Sequence, residues 1–215
     1  YATGRLALVD VLVAQCHATS STDGGGGIYT NDCTVTMSGG AIRDCEATGT
    51  GGGLYLSGEA GQASLSNVTV QGCKAELYAG GLYVKAGQLS LVDVDVEECE
   101  VAQEGGSTAL YSSGTVHAER ARIVRCGGVR PIADVMSLYG TSTWTDVIIA
   151  NNYGAIWCAS GTHTFTRTTI LTTSTFAEPQ WGSIGITDGT TTMIDSRVAD
   201  AGAPCVIADF RGTLV

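Results

Sequence analysis

Apolar and polar residues alternate along this chain in short bursts, and the bursts recur at a nearly fixed interval. Val9-Asp10-Val11-Leu12-Val13 runs up to Cys16, Asn67-Val68-Thr69-Val70 to Cys73, and Val92-Asp93-Val94-Asp95-Val96 to Cys99. Alternation with period two predicts half-buried strands. A second alternating segment comes before each of these, as in Gln88-Leu89-Ser90-Leu91 after Gly87. A polar, glycine-rich loop follows each cysteine and leads to a third strand that carries the word Gly-Gly-Ile/Leu-Tyr, at Gly26 to Tyr29, Gly52 to Tyr55 and Gly80 to Tyr83. The word decays to Ala109-Leu110-Tyr111 and Ser137-Leu138-Tyr139. Three short strands and three turns bury no face alone, but they do so when each unit stacks on the last.

Two rulers measure the stack. Tyr1, Tyr29, Tyr55, Tyr83, Tyr111 and Tyr139 stand at spacings of 28, 26, 28, 28 and 28, and Cys16, Cys45, Cys73, Cys99 and Cys126 at 29, 28, 26 and 27. The pattern continues past the last of these cysteines through Asp146-Val147-Ile148-Ile149, Thr168-Thr169-Ile170 and Ser196-Arg197-Val198, which makes eight coils. Aligning them predicts one inward column of Leu8, Met37, Leu65, Leu91, Ala118, Trp144, Phe165 and Met193. A second reads Val13, Ile42, Val70, Val96, Ile123, Ile149, Ile170 and Val198, the β-branched stack that parallel strands favour. The expected fold is all-β, a parallel β-helix running through residues 1–215 as one domain, with no helix and a length of roughly 35 to 40 Å at about 4.8 Å per coil.

Composition agrees and narrows the partners. The 215 residues are 44% hydrophobic and only 15% charged, with 30 glycines and 3 prolines, which suits a folded strand-and-turn protein. The formal charge of −10 repels phosphate backbones and anionic headgroups, so nucleic acid and anionic membrane are not expected partners. No stretch approaches the ~20 apolar residues of a membrane span. The chain opens on Tyr1 in the middle of a repeat, without a leader, and reads as an excerpt from a longer polypeptide.

Over essentially its whole length the chain resembles the right-handed parallel β-helix of the pectate-lyase-like class. Its words are similar to those of secreted and surface β-helix proteins, including the polymorphic outer-membrane proteins and related adhesins, whose repeats carry a Gly-Gly-aliphatic word and an Asn-containing word. In this chain the Asn station is mostly cysteine, Asn152 alone keeps the amide, and valine or isoleucine replaces the phenylalanine of those repeats. The resemblance implies an extracellular, cell-surface or lumenal protein with a structural or adhesive role.

In Leu54-Tyr55-Leu56 and Leu82-Tyr83-Val84 alternation sends tyrosine to the face opposite its aliphatic neighbours. Tyr1, Tyr29, Tyr55, Tyr83, Tyr111 and Tyr139, followed in register by Trp157 and then by Gly185 and Ile207, are therefore expected to form an outward stripe. Such a stripe is open to three readings: cross-strand support alone, a docking face for another protein or a neighbouring part of the same chain or assembly, or a platform for stacking sugars. The loops at 19–25, 48–51, 76–79 and 103–106 offer a second, variable surface. The cysteine ladder is either a buried column of free thiols or a set of disulfides between adjacent coils, which would imply an oxidising compartment; Cys33, Cys158 and Cys205 lie off it.

No Cys-x-x-Cys pair or Cys/His cluster occurs, so neither a metal nor another cofactor is expected. Many β-helices of the resembling class cleave acidic polysaccharides, using acidic calcium ligands with a basic proton acceptor or clustered aspartates. Here lysine occurs only at Lys74 and Lys85, and His17, His117 and His163 fall in different columns. Asp10, Asn67, Asp93, Asp146 and Asp195 share a column with Gly39, Arg120 and Arg167 between them, which fits turn-forming residues better than a catalytic cluster. No catalytic residue is expected. Thr-x-Thr words at 141–145, 162–166 and 190–192 suggest an ice-binding array, but their column, from Ala7 through Thr36, Ser64 and Ser90 to Thr143, Thr164 and Thr192, is interrupted at His117.

Overall fold

A computed structural model describes residues 4–21, 24–103, 105–128, 134–172, 184–200, 206–208 and 213–214. Tyr1 and Cys205 lie outside the described residues. The fold is all-β, with no helix among those residues, and every strand pair is parallel. The chain winds into a β-solenoid of about six turns. That is somewhat fewer than the eight coils expected.

Three faces run the length of the stack. The aromatic face holds Ile28–Asn31, Leu54–Ser57, Leu82–Val84, Ser107–Ser112 and Asp134–Leu138. The middle face holds Gln62–Ser66, Gln88–Val92, Thr115–Glu119 and Thr141–Thr145, and the valine face Thr69–Gln71, Asp95–Glu97, Arg122–Val124 and Ile148–Ala150. Both inward columns read from the sequence are in register, from Leu8↔Met37 to Phe165↔Met193 and from Val13↔Ile42 to Ile170↔Val198. Periodicity did not reveal a fourth, narrow side made of two-residue strands just after the cysteines: His17–Ala18, Glu46–Ala47, Lys74–Ala75, Glu100–Val101 and Gly127–Gly128. Two residues are too short for alternation to register.

Corners between faces are made by left-handed residues. At the turn from the middle to the valine face stand Asp10, Gly39, Asn67, Asp93, Arg120, Asp146, Arg167 and Asp195, all with φ between 48° and 71°. Aspartate, asparagine and glycine tolerate that conformation best, so the acidic column is a row of turn residues, as the sequence suggested. Inside the corners the core is close-packed. Small Ala118 sits next to Trp144 in its column, and the Trp144 and Phe165 rings lie 6.1 Å apart and nearly parallel.

The Gly-Gly word has a steric cause. A Cβ at Gly52 would lie 2.3 Å from the Lys74 carbonyl oxygen, and one at Gly53 would lie 2.8 Å from that of Gly81. Thr108 and Ala109 stand where the next repeat would have that pair, and the pairing of their strand with Asp134–Leu138 shifts register between Ser107 and Leu110. Tyr111 faces Ser137 instead of Tyr139, and Ser137 faces Trp157. The expected placement of Tyr139 in the column is corrected by two residues.

Candidate functional site

On the aromatic face the tyrosines form a ring stack. Tyr29–Tyr55, Tyr55–Tyr83 and Tyr83–Tyr111 have centroids 5.2, 5.1 and 5.0 Å apart, with ring planes within 14° of each other. Their aliphatic neighbours Leu54, Leu56, Leu82 and Val84 belong to the core while the tyrosines do not, so the rings point outward as alternation required. They do not form a continuous exposed patch. Tyr29 is 52% exposed and Tyr139 41%, but Tyr55 between its stacked neighbours is 1% exposed. Stacked rings cover one another's faces, and Tyr55 in the middle of the ladder is enclosed.

At its far end the ladder opens. The Tyr139 ring lies 5.2 Å from Tyr111 at 33°, and Tyr78, from the turn before the Leu82–Val84 strand, lies 5.6 Å from Tyr111 at 49°. Beside them the Asp134 carboxylate accepts a hydrogen bond from Ser137 at 2.9 Å, and the Ser137 and Ser107 hydroxyls are 2.6 Å apart. Burial pushes the Asp134 carboxyl up to about 7, and burial together with the nearby Tyr111, Asp134 and Tyr78 raises the Tyr139 phenol. The stripe ends at Trp157, whose indole fills the space a Cβ would take at Gly185. Tyr78 lies off the tyrosine ruler and Asp134 off every alternating column, so no sequence signal placed either of them here.

The cysteine ladder lies inside. Backbone bonds tie successive rungs, from Glu46 N–H to the Cys16 carbonyl at 2.8 Å to Gly127 N–H to the Cys99 carbonyl at 3.1 Å. Cys45, Cys73, Cys99 and Cys126 are fully buried, Cys16 is partly so, and all are free thiols, as are Cys33 and Cys158. Each buried thiol of the ladder points at backbone carbonyls, for example Cys73 Sγ to Gln71 O at 3.5 Å and to Ile42 O at 3.6 Å. Asn152 continues the column in the next coil. Its amide donates to Ile123 O at 2.9 Å and accepts from Cys126 N–H at 2.8 Å. Hydrogen bonds with the neighbouring thiols, and then burial, raise Cys45 and Cys99, and burial lifts Cys158 to about 12.

Several other titratable groups are held in pairs or networks. Arg120 grips Asp93 bidentately at 2.7 and 2.9 Å, and Arg167 grips Asp146 at 2.6 and 2.7 Å. Each arginine hydrogen-bonds its aspartate and holds that carboxyl below its ordinary range. His163 is buried and pushed down by desolvation. Its Nε2–H donates to the Ser160 carbonyl at 2.9 Å, Nδ1 accepts from Ser142, and Ser142 accepts from Trp144 Nε1–H at 2.8 Å. Both ring nitrogens are thereby engaged. His117 stands apart on the outer middle face, its Nδ1 2.7 Å from Thr143 Oγ1, in a shallow depression of about 270 Å³ with Ser90 and Glu119. It interrupts the threonine array as expected, in register between Ser90 and Thr143.

Fold and geometry together define a parallel β-solenoid with an outward aromatic ladder and an inward thiol ladder. Comparison with protein-family models, with curated proteins and with solved structures found no match.

Proposed function

We propose that this solenoid is a non-catalytic structural or adhesive scaffold, part of a larger secreted, surface or lumenal protein, that docks another protein on its aromatic face. The observation that carries the reading is the ladder itself: a rigid row of rings on one face, accessible at Tyr29 and Tyr139 and at the edges of Tyr83 and Tyr111. Aromatic rings on a preorganised surface supply contact area at little entropic cost. Asp93 and Asp146 are committed to arginines, and His163 to a closed network, which favours display over chemistry. The repeat words resemble those of polymorphic outer-membrane proteins and adhesins, which supports the surface location.

A photo-crosslinking residue at Tyr29 or Tyr139, compared with one at Thr143 on the middle face, tests this in the native source. Capture of one and the same protein from both aromatic positions and not from Thr143, with capture from Tyr139 abolished by Tyr29→Ser at a nearly unchanged melting temperature, is the expected result. Equal capture from Thr143, or loss only in step with stability, would leave the ladder a purely structural feature.

A further inference from the structure

We infer that Asn67 is an acceptor for an N-linked oligosaccharide, carried on the corner between the middle and valine faces. This rests on the secreted, surface or lumenal part of the reading above and is independent of what the aromatic face binds.

The chain has four asparagines, at 31, 67, 151 and 152, and Asn67 alone is followed two places on by a serine or threonine, in Asn67-Val68-Thr69. The transferase of the secretory pathway reads that amide together with that hydroxyl. The fold presents both. Asn67 is exposed and stands at the left-handed corner with φ 53°, Val68 turns into the core, and Thr69 turns outward again, half-buried. An acceptor word on an exposed turn is where a bulky hydrophilic chain costs no burial.

The surroundings leave the amide free. Elsewhere in this column Arg120 grips Asp93 and Arg167 grips Asp146, whereas the Asn67 side chain has no hydrogen-bond partner among the described residues. One rung earlier the corner residue is Gly39, which has no side chain, and one rung later Asp93 is turned to its arginine. The register neighbours are small: Ser38 beside Ser66 on the middle face, and Ala41 beside Thr69 on the valine face. A glycan leaving this corner displaces no packed side chain and no ion pair. The corner joins the two faces other than the aromatic one, so the sugar projects away from Tyr29 and Tyr139.

The transfer joins Asn67 Nδ2 to the anomeric carbon of a lipid-diphosphate-linked oligosaccharide. The bond from that carbon to the diphosphate oxygen breaks, the lipid diphosphate leaves with the electron pair, and the amide loses one proton. No oxidant or reductant takes part. In the finished stack Thr69 is paired on both sides, with Ala41 and Asp95, so the transferase must meet the extended chain before this coil is enclosed.

Mass spectrometry of the Asn67 peptide from the protein in its native source, with and without peptide N-glycosidase, tests the site. A hexose-containing mass excess that the glycosidase removes, leaving aspartate at 67, is expected. Among variants expressed in the same source, Asn67→Asp installs the residue that this column already uses at 93 and 146, and should lose the glycan with the fold intact. Thr69→Val should lose it too, and Thr69→Ser should keep it. An Asn67 peptide of unmodified mass in the native protein overturns the proposal, as does a mass excess that survives Asn67→Asp undiminished. The same chain fused to a secretion leader and expressed in insect cells then shows which half failed: a glycan on Asn67 there puts the fault in the compartment, and a bare Asn67 puts it in the site.

Discussion

The two ladders of this solenoid obey the same repeat and meet opposite fates. Tyrosines recur every 26 to 28 residues and cysteines every 26 to 29, yet one column stacks outside the wall and the other inside. Outside, stacking partly replaces burial: each ring covers the next, so exposure concentrates at the ends, and departures such as Tyr139 are absorbed by tilting. Inside, the column has a polar duty as well as a volume to fill. Each buried side chain must reach carbonyls of its own and the preceding rung, and Asn152 does with an amide what the thiols do weakly. Repetition therefore specifies position, while the side of the wall decides how much variation a position tolerates.

The largest effect should come from placing a charge on the inner ladder. Cys99→Lys buries an unpaired ammonium at a fully enclosed site and is expected to cost more than about 4 kcal/mol, read as loss of the cooperative thermal transition. Next, Asn152→Leu strands the Cys126 N–H and the Ile123 carbonyl and should cost about 2–4 kcal/mol by chemical denaturation. Cys126→Asn, which moves the amide one rung back, should be tolerated within about 1 kcal/mol; a collapse there would mean that the thiols and the amide are not equivalent.

On the outer ladder the contrast lies between middle and end. Tyr55→Ala removes a ring stacked on both sides and should cost about 2–3 kcal/mol, whereas Tyr29→Ala at the exposed end should cost less than about 1 kcal/mol. Equal losses would dissolve the distinction. A smaller effect follows from Asp134, whose carboxyl is raised from 3.8 to about 7. The folded protein holds that proton across a window in which the unfolded chain has released it, so stability falls as pH rises from about 4 through about 7. With partial solvent access the loss should be about 1–2 kcal/mol, and Asp134→Asn should flatten it in melts taken across that range.

The repeat made much of this legible in the sequence. Alternation gave the strands, their register in both inward columns and the outward direction of Tyr29, Tyr55, Tyr83 and Tyr111. Three things escaped it for physical reasons. The fourth side is too short to alternate. The burial of Tyr55 depends on neighbours across rungs, which a linear pattern does not carry. A one-residue register shift falls where Thr108-Ala109 replace a glycine pair whose backbones approach too closely for a Cβ, and Tyr139 stands two residues past the position that faces Tyr111. Because Tyr78 and Asp134 reach the ladder from turns and strand ends, the splayed end became visible only in three dimensions.

Residue-resolved native-state labelling tests the two-ladder arrangement most directly, with a thiol reagent and a tyrosine-nitrating reagent on the same protein, mapped by mass spectrometry. Tyr29 and Tyr139 are expected to react quickly and Tyr55 slowly, while Cys45, Cys73, Cys99 and Cys126 stay unlabelled until the protein unfolds globally and then react together. Rapid labelling of Cys73 or Cys99 in the folded protein, or nitration of Tyr55 as fast as Tyr29, would contradict it.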